Sequence, residues 1–267
     1  MPNTRYSGGW IQVHDTRGYG YKLHPLNPSI GEINIYSAAR ALSYMCRYGG
    51  NVLSTKRHWY QHLRPGDPHE NTHGNRIYSV AQHSLIVSYC VWPSYALEAL
   101  MNDLTEGCGL PDLPHPVKVQ MPEYRRTENS LWADICTEYG LSIDLPSQVK
   151  AWDRRICATE FRDLMGPAPA DTRRDVDEWP ALPLRIVPMQ PLDAYRAWVA
   201  RFHDLTWGQR KNLAVHRAHV TPQPSLARQR YNRARYACGL RYMTTGVELA
   251  GLPAFRAQQT EVAATCG

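Results

Sequence analysis

Several features are missing from this sequence, and each absence narrows the reading. There is no Cys-x-x-Cys pair: the seven cysteines, Cys46, Cys90, Cys108, Cys136, Cys157, Cys238 and Cys266, stand singly. An odd count without local pairing predicts reduced thiols and argues against a zinc site built on cysteine. No apolar run approaches the about 18 residues needed to cross a bilayer, and mean hydropathy is −0.48. The opening Met1-Pro2-Asn3-Thr4-Arg5 lacks the apolar core of a secretion signal. A cytoplasmic protein with no membrane partner is therefore expected. Alternating apolar and polar stretches of any length are missing, as are internal repeats. Acidic residues are absent from Leu205 to Val247, where Arg210, Lys211, Arg217, Arg228, Arg230, Arg233, Arg235 and Arg241 lie. Such a stretch attracts phosphate, on a nucleotide or a nucleic acid, or forms a solvated helix face.

What is present is a chain of 267 residues, 43 % hydrophobic, enough for one large core. Residues 1–31, rich in Gly, Pro, Tyr and Asn, read as an irregular arm with a short hairpin around Gly18-Tyr19-Gly20. Apolar residues at helical spacing predict helices over about 35–48, 78–91, 94–106, 122–139, 146–165 and 191–205, with another within 224–243. Gly49-Gly50 stops the first, and Pro93 separates the second from the third. Residues 107–121 and 166–190 read as loops. The fold class expected is all-α, a helical array. The domain reading is an arm over 1–31, a core over 32–205 and a basic extension over 206–267. Within the core, 51–76 is a turn-rich insertion carrying His58, Trp59, Tyr60, His62, His69 and His73. It reads either as a surface excursion or as a lid whose His58, Trp59 or Tyr60 stacks on a base.

Three segments hold the chemistry. They are Tyr78-Ser79-Val80-Ala81-Gln82-His83-Ser84; Met101-Asn102-Asp103-Leu104-Thr105-Glu106 with Asp112 and Lys118 following; and Val149-Lys150-Ala151-Trp152-Asp153. One imidazole and several carboxylates on separate helices suit a divalent transition metal. Asn102 and Glu106, four apart, share a helix face. The plainer alternative is a satisfied buried histidine and surface ion pairs.

These segments, preceded by Cys46-Arg47-Tyr48-Gly49, resemble in order the motifs of the HD-domain phosphohydrolase superfamily. The likeness is to its 5′-deoxynucleotidase-like branch and the phage relatives that hydrolyse deoxynucleoside triphosphates, and it runs from about residue 20 to 205. It implies an HD-type helical domain and a nucleotide phosphohydrolase acting on deoxynucleoside mono- or triphosphates through a metal-bound water. The compartment implied is the cytoplasm, the host's for a phage-encoded chain. Residue by residue, it implies His83, Asn102, Asp103 and Asp153 as ligands of one divalent metal (Mn, Co or Zn, with Mg as a further candidate). It implies Glu106 and Asp112 as catalytic carboxylates, and Arg47 and Lys118 as contacts to the substrate phosphate.

The chain departs from the pattern at Asn102, where the family has histidine. An amide oxygen is a harder and weaker donor than imidazole, which lowers metal affinity and shifts preference toward Mn²⁺ or Mg²⁺. Asp112 also lies one residue further along than in the family. Two other readings therefore stay open: a metal-free nucleotide-binding protein on the same scaffold, and a nucleic-acid-binding protein using the basic tail. Self-association is likewise open.

Overall fold

The computed structural model describes residues 9–15, 18–27, 31–52, 77–165, 168, 175–183 and 186–206. The expectations for the insertion, apart from its first residues, and for the basic tail lie outside them. Helices dominate. In chain order they are α1 (Ile35–Tyr44), α2 (Val80–Cys90), α3 (Ala96–Met101), α4 (Leu104–Gly107), α5 (His115–Lys118), α6 (Pro122–Tyr139), α7 (Ser147–Glu160) and α8 (Pro191–Thr206). Among the described residues the only sheet is a hairpin of β1 (Ile11–His14) and β2 (Gly20–Leu23). It is antiparallel, with Ile11 opposite Leu23 and His14 opposite Gly20. The all-α expectation holds, and so does the expected hairpin. The arm is nonetheless tied down, because Leu23 is buried in the helical core.

Local chemistry explains most helix ends. The Asn34 side chain accepts from the Tyr36 and Ser37 N–H groups and starts α1. Pro122 opens α6, where a missing N–H costs nothing. Gly140 closes it in the left-handed conformation at φ 66°, its N–H bonded to the Cys136 carbonyl.

The fold turns on α2. Val80 through Ser88 are all buried, as expected of a helix that is covered on every side. α1, α3, α7 and α8 pack around it. One core joins Leu42, Leu85, Leu100, Leu104, Leu131, Ile135, Trp198 and Phe202. A second lies between α2 and α7, with Val87, Ala99, Val149, Trp152 and Ile156. Burial of side chains such as these is worth roughly 1.5–3 kcal/mol each.

Three helix expectations need correction. The first helix ends at Tyr44 rather than 48, because Met45–Arg47 pairs with residues 78–80 instead; Arg47–Gly50 then forms a separate 3₁₀ turn. The helix expected over 94–106 begins with a 3₁₀ turn at Pro93–Tyr95 and breaks at Asn102-Asp103, where Asp103 sits at φ −96°, ψ 14°. Asn102 and Glu106 therefore do not share one continuous helix. Asn and Asp are weak helix formers because their side chains compete for backbone hydrogen bonds. The loop expected over 107–121 contains the short helix α5, opened by Pro114 and Pro116. Helices α2, α6 and α8 lie where expected, and so does α7, except that residues 161–165 form a π-helical turn rather than its last α-helical one.

Candidate functional site

The chain on either side of the insertion is fastened by backbone. Arg47 N–H donates to the Tyr78 carbonyl at 2.9 Å, and Val80 N–H donates to the Met45 carbonyl at 3.0 Å. Cys46 and Ser79 form an antiparallel bridge between these bonds. Arg47 and Tyr48 are thereby set beside the start of α2. Tyr48 adopts φ 56°, the only non-glycine residue with positive φ among the described residues. That conformation costs about 1–2 kcal/mol for an L-residue.

Each polar member of the 78–84 segment has a separate task. The Tyr78 hydroxyl donates to Glu160. The Ser79 hydroxyl caps α2 by accepting from the Gln82 N–H at 3.2 Å. The Gln82 amide donates to the Val187 carbonyl at 2.8 Å and accepts from the Met189 N–H at 2.9 Å, fixing the segment before α8. The Ser84 hydroxyl bonds back to the Val80 carbonyl. His83 stands at the centre.

The His83 imidazole is 1 % exposed and meets carboxylates on both edges. Its Nδ1 lies 2.5 Å from Glu160 Oε1. Its Nε2 lies 2.8 Å from Asp153 Oδ1 and 3.9 Å from Asp103 Oδ2. Burial and Arg47 push the His83 pKa down, but Glu160 and the hydrogen bonds to Asp153 and Glu160 outweigh them and raise it to about 10. Glu160, also fully buried, would be pushed up by burial alone; Arg47 and His83 hold its carboxyl well below the usual range. Tyr48 donates to the same carboxylate, and Arg47 Nε lies 3.5 Å from it.

On the α4 side, Glu106 is buried. Burial first, then Asp103 and Asp112, push its pKa up to about 9, with Arg47 and Lys118 pulling the other way. Burial likewise raises Asp103, with Asp153 and Asp112 adding to it and His83 and Arg47 opposing. Lys118 Nζ lies 3.9 Å from Glu106 and 2.7 Å from Glu128. The Asn102 amide donates to Asp103 Oδ1 at 3.3 Å. Side-chain exposure rises from 0 % at Glu160 through 15 % at Asp103 to 34 % at Asp153, so the cluster opens to solvent on the Asp153 side.

The residues singled out in the sequence thus form one cluster: His83, Asp103 and Asp153 at its centre, Glu106, Asp112 and Lys118 on one flank, and Arg47 at its base. Arg47 turns toward Glu160 and the Cys157 sulfur, the latter at 3.6 Å, rather than toward the open side. Glu160 is the one member sequence reasoning missed. A signal was there: Glu160 continues the buried stripe of Val149, Trp152 and Ile156, a place where an acid needs a reason. Cys46, Cys90, Cys108, Cys136 and Cys157 are free thiols.

Among the described residues no group of three or more His, Cys, Asp or Glu side chains stands in metal-holding geometry. In the arrangement observed, Nε2 is hydrogen-bonded to Asp153. Two observations nevertheless fit a cation here. The buried oxygens Asp103 Oδ2 and Glu106 Oε2 have no hydrogen-bond partner. Such orphaned atoms are rare and call for an ion or water. The donor set, one imidazole with carboxylates on neighbouring helices, also suits Mn²⁺, Co²⁺ or Zn²⁺.

Over 182 residues the chain is 32 % identical to "Uncharacterized protein YfdR" of Escherichia coli (strain K12), a match spanning 66 % of this chain and 85 % of that one. The chain belongs to the YfdR family. No protein-family model matches it. The YfdR relative's description assigns no chemistry, so what this site can do follows from its side chains. No helix among the described residues is long and apolar enough to cross a membrane.

Proposed function

We propose that this YfdR-family protein is a metal-dependent phosphohydrolase of the HD type, acting on deoxynucleoside mono- or triphosphates. The observation that carries the reading is the convergence of Asp103 and Asp153 on one imidazole nitrogen, beside two orphaned buried carboxylate oxygens. His83, Asp103 and Asp153 would hold the cation, with Asn102 alongside as a weak oxygen donor. When bound, the cation supplies positive charge at the phosphate and makes water a stronger nucleophile near neutral pH. Glu106, which the charge of a bound cation would favour in its ionised form, orients that water and takes its proton. Asp112 serves the leaving oxygen. Lys118 neutralises charge on the phosphate, and Arg47 adds positive charge from below. Water adds to phosphorus, the bond from phosphorus to the leaving oxygen breaks, and the proton passes to the product.

The test is a screen of the deoxynucleotides with Mn²⁺, Co²⁺, Zn²⁺ and Mg²⁺, with products separated by chromatography. Phosphate release is expected for at least one pair, and Glu106→Ala should abolish it while leaving the helical circular dichroism unchanged. Activity that survives Glu106→Ala refutes the assignment.

A second reading has an observation of its own. Asn102 donates to Asp103 Oδ1 and His83 Nε2 closes onto Asp153, so these two contacts at the cluster's centre are made without metal, as in a metal-free nucleotide-binding protein. Metal analysis of the purified protein separates the two.

A further inference from the structure

The geometry points to Glu160 as the positioning residue of this site: it accepts the His83 Nδ1 proton and so presents Nε2 to Asp103 and Asp153. The inference rests on the reading of His83 as a metal ligand.

A carboxylate can only accept a hydrogen bond, so Nδ1 carries a proton toward Glu160 Oε1 at 2.5 Å, and without a cation Nε2 carries one toward Asp153 Oδ1 at 2.8 Å, the proton that metal binding would release. The opposite nitrogen then faces the two aspartates. A carboxylate that holds the Nδ1 proton of a ligand histidine fixes its ring plane and makes Nε2 a better donor to a metal. For this to work, Glu160 must itself be immobile, and four groups hold it. Tyr78 donates to Oε1 and Tyr48 to Oε2; Arg47 Nε stands 3.5 Å away; His83 closes the set.

The backbone supports this arrangement. Tyr48 reaches Glu160 from the left-handed conformation, a strained state kept only where surroundings enforce it. The bridge between Cys46 and Ser79 places both tyrosines next to the carboxylate. Glu160 is fully buried, at the opposite end of the cluster from the exposed Asp153 side, so its effect passes through His83.

The experiment uses full-length protein labelled with ¹⁵N. In metal-free wild type, the His83 ring should show an Nδ1-bound proton far downfield, and Glu160→Gln should shift or abolish it. Titration with Mn²⁺ alone should show affinity falling by about tenfold to a hundredfold in Glu160→Gln. Tyr78→Phe, which keeps the carboxylate, should retain the Nδ1 proton and lose less affinity. A folded Glu160→Gln protein with an unchanged His83 ring signal and unchanged Mn²⁺ affinity overturns the inference. If that variant does not fold, the wild-type spectrum decides, because an Nδ1 without a proton is equally fatal. Mn²⁺ binding that survives His83→Ala, or is absent from wild type, refutes the metal-site reading instead and leaves the ring spectrum to decide the role of Glu160.

Discussion

Replacing Gly107 with alanine would put a methyl carbon 2.6 Å from the Ala38 carbonyl oxygen, 2.9 Å from Leu42 Cγ and 3.0 Å from the Ala38 carbonyl carbon. Two of these atoms are backbone of α1, so relief requires α1 and α4 to separate by several tenths of an ångström. Overpacking of this kind costs about 1–3 kcal/mol. Alanine's better helix propensity offsets at most about 1 kcal/mol, and less at the last residue of so short a helix. A net loss of about 1–2 kcal/mol is therefore expected, with Tm falling about 2–4 °C per kcal/mol. Urea unfolding should show a lower midpoint and an unchanged slope. The next residue back is Glu106, so the same displacement should move Glu106 relative to Lys118. A midpoint equal to or above wild type would show that the close approach of α1 and α4 is not what Gly107 is there for.

Two further outcomes are expected. Asn102→His adds an imidazole beside Asp103 and should raise Mn²⁺ affinity in calorimetry; unchanged affinity would place the cation elsewhere. Burial raises the Glu138 pKa to about 7, with the Gly31 backbone pulling the other way. A carboxyl whose folded pKa lies above its unfolded value stabilises the protein fully below the unfolded pKa, and that contribution is lost as pH rises through about 7. Glu138→Gln should therefore match wild type in Tm near pH 4 and exceed it at pH 8. A Tm difference that does not vary with pH would refute the burial argument.

Much of the fold was legible because three long helices, α6, α7 and α8, carry their burial in their spacing. Trp152 and Ile156 in α7, or Trp198 and Phe202 in α8, recur at intervals only a helix can bury on one side. The features that escaped depend on contacts distant in sequence. Nothing near Tyr44 says that the helix must stop there, because Met45 and Arg47 leave it to pair with residues over thirty positions away. The break at Asn102-Asp103 was signalled only faintly by weak helix formers. Within the site, the motif residues were legible as a resemblance, and the structure gathers them. Glu160 was not, since its importance lies in what Tyr48, Tyr78 and His83 do to it, and composition along α7 marks it only as an acid among apolar neighbours.

The clasp around Glu160 also bears on how the molecule comes together. Its members arrive from three separate stretches: the turn after α1, the entry to α2, and the far end of α7. A form that buried Glu160 before all three had met would leave an ionised acid in an oily interior without partners, a state costing several kcal/mol. Half-built forms are thus penalised at the molecule's centre, and assembly of these helices should proceed as one concerted event rather than helix by helix.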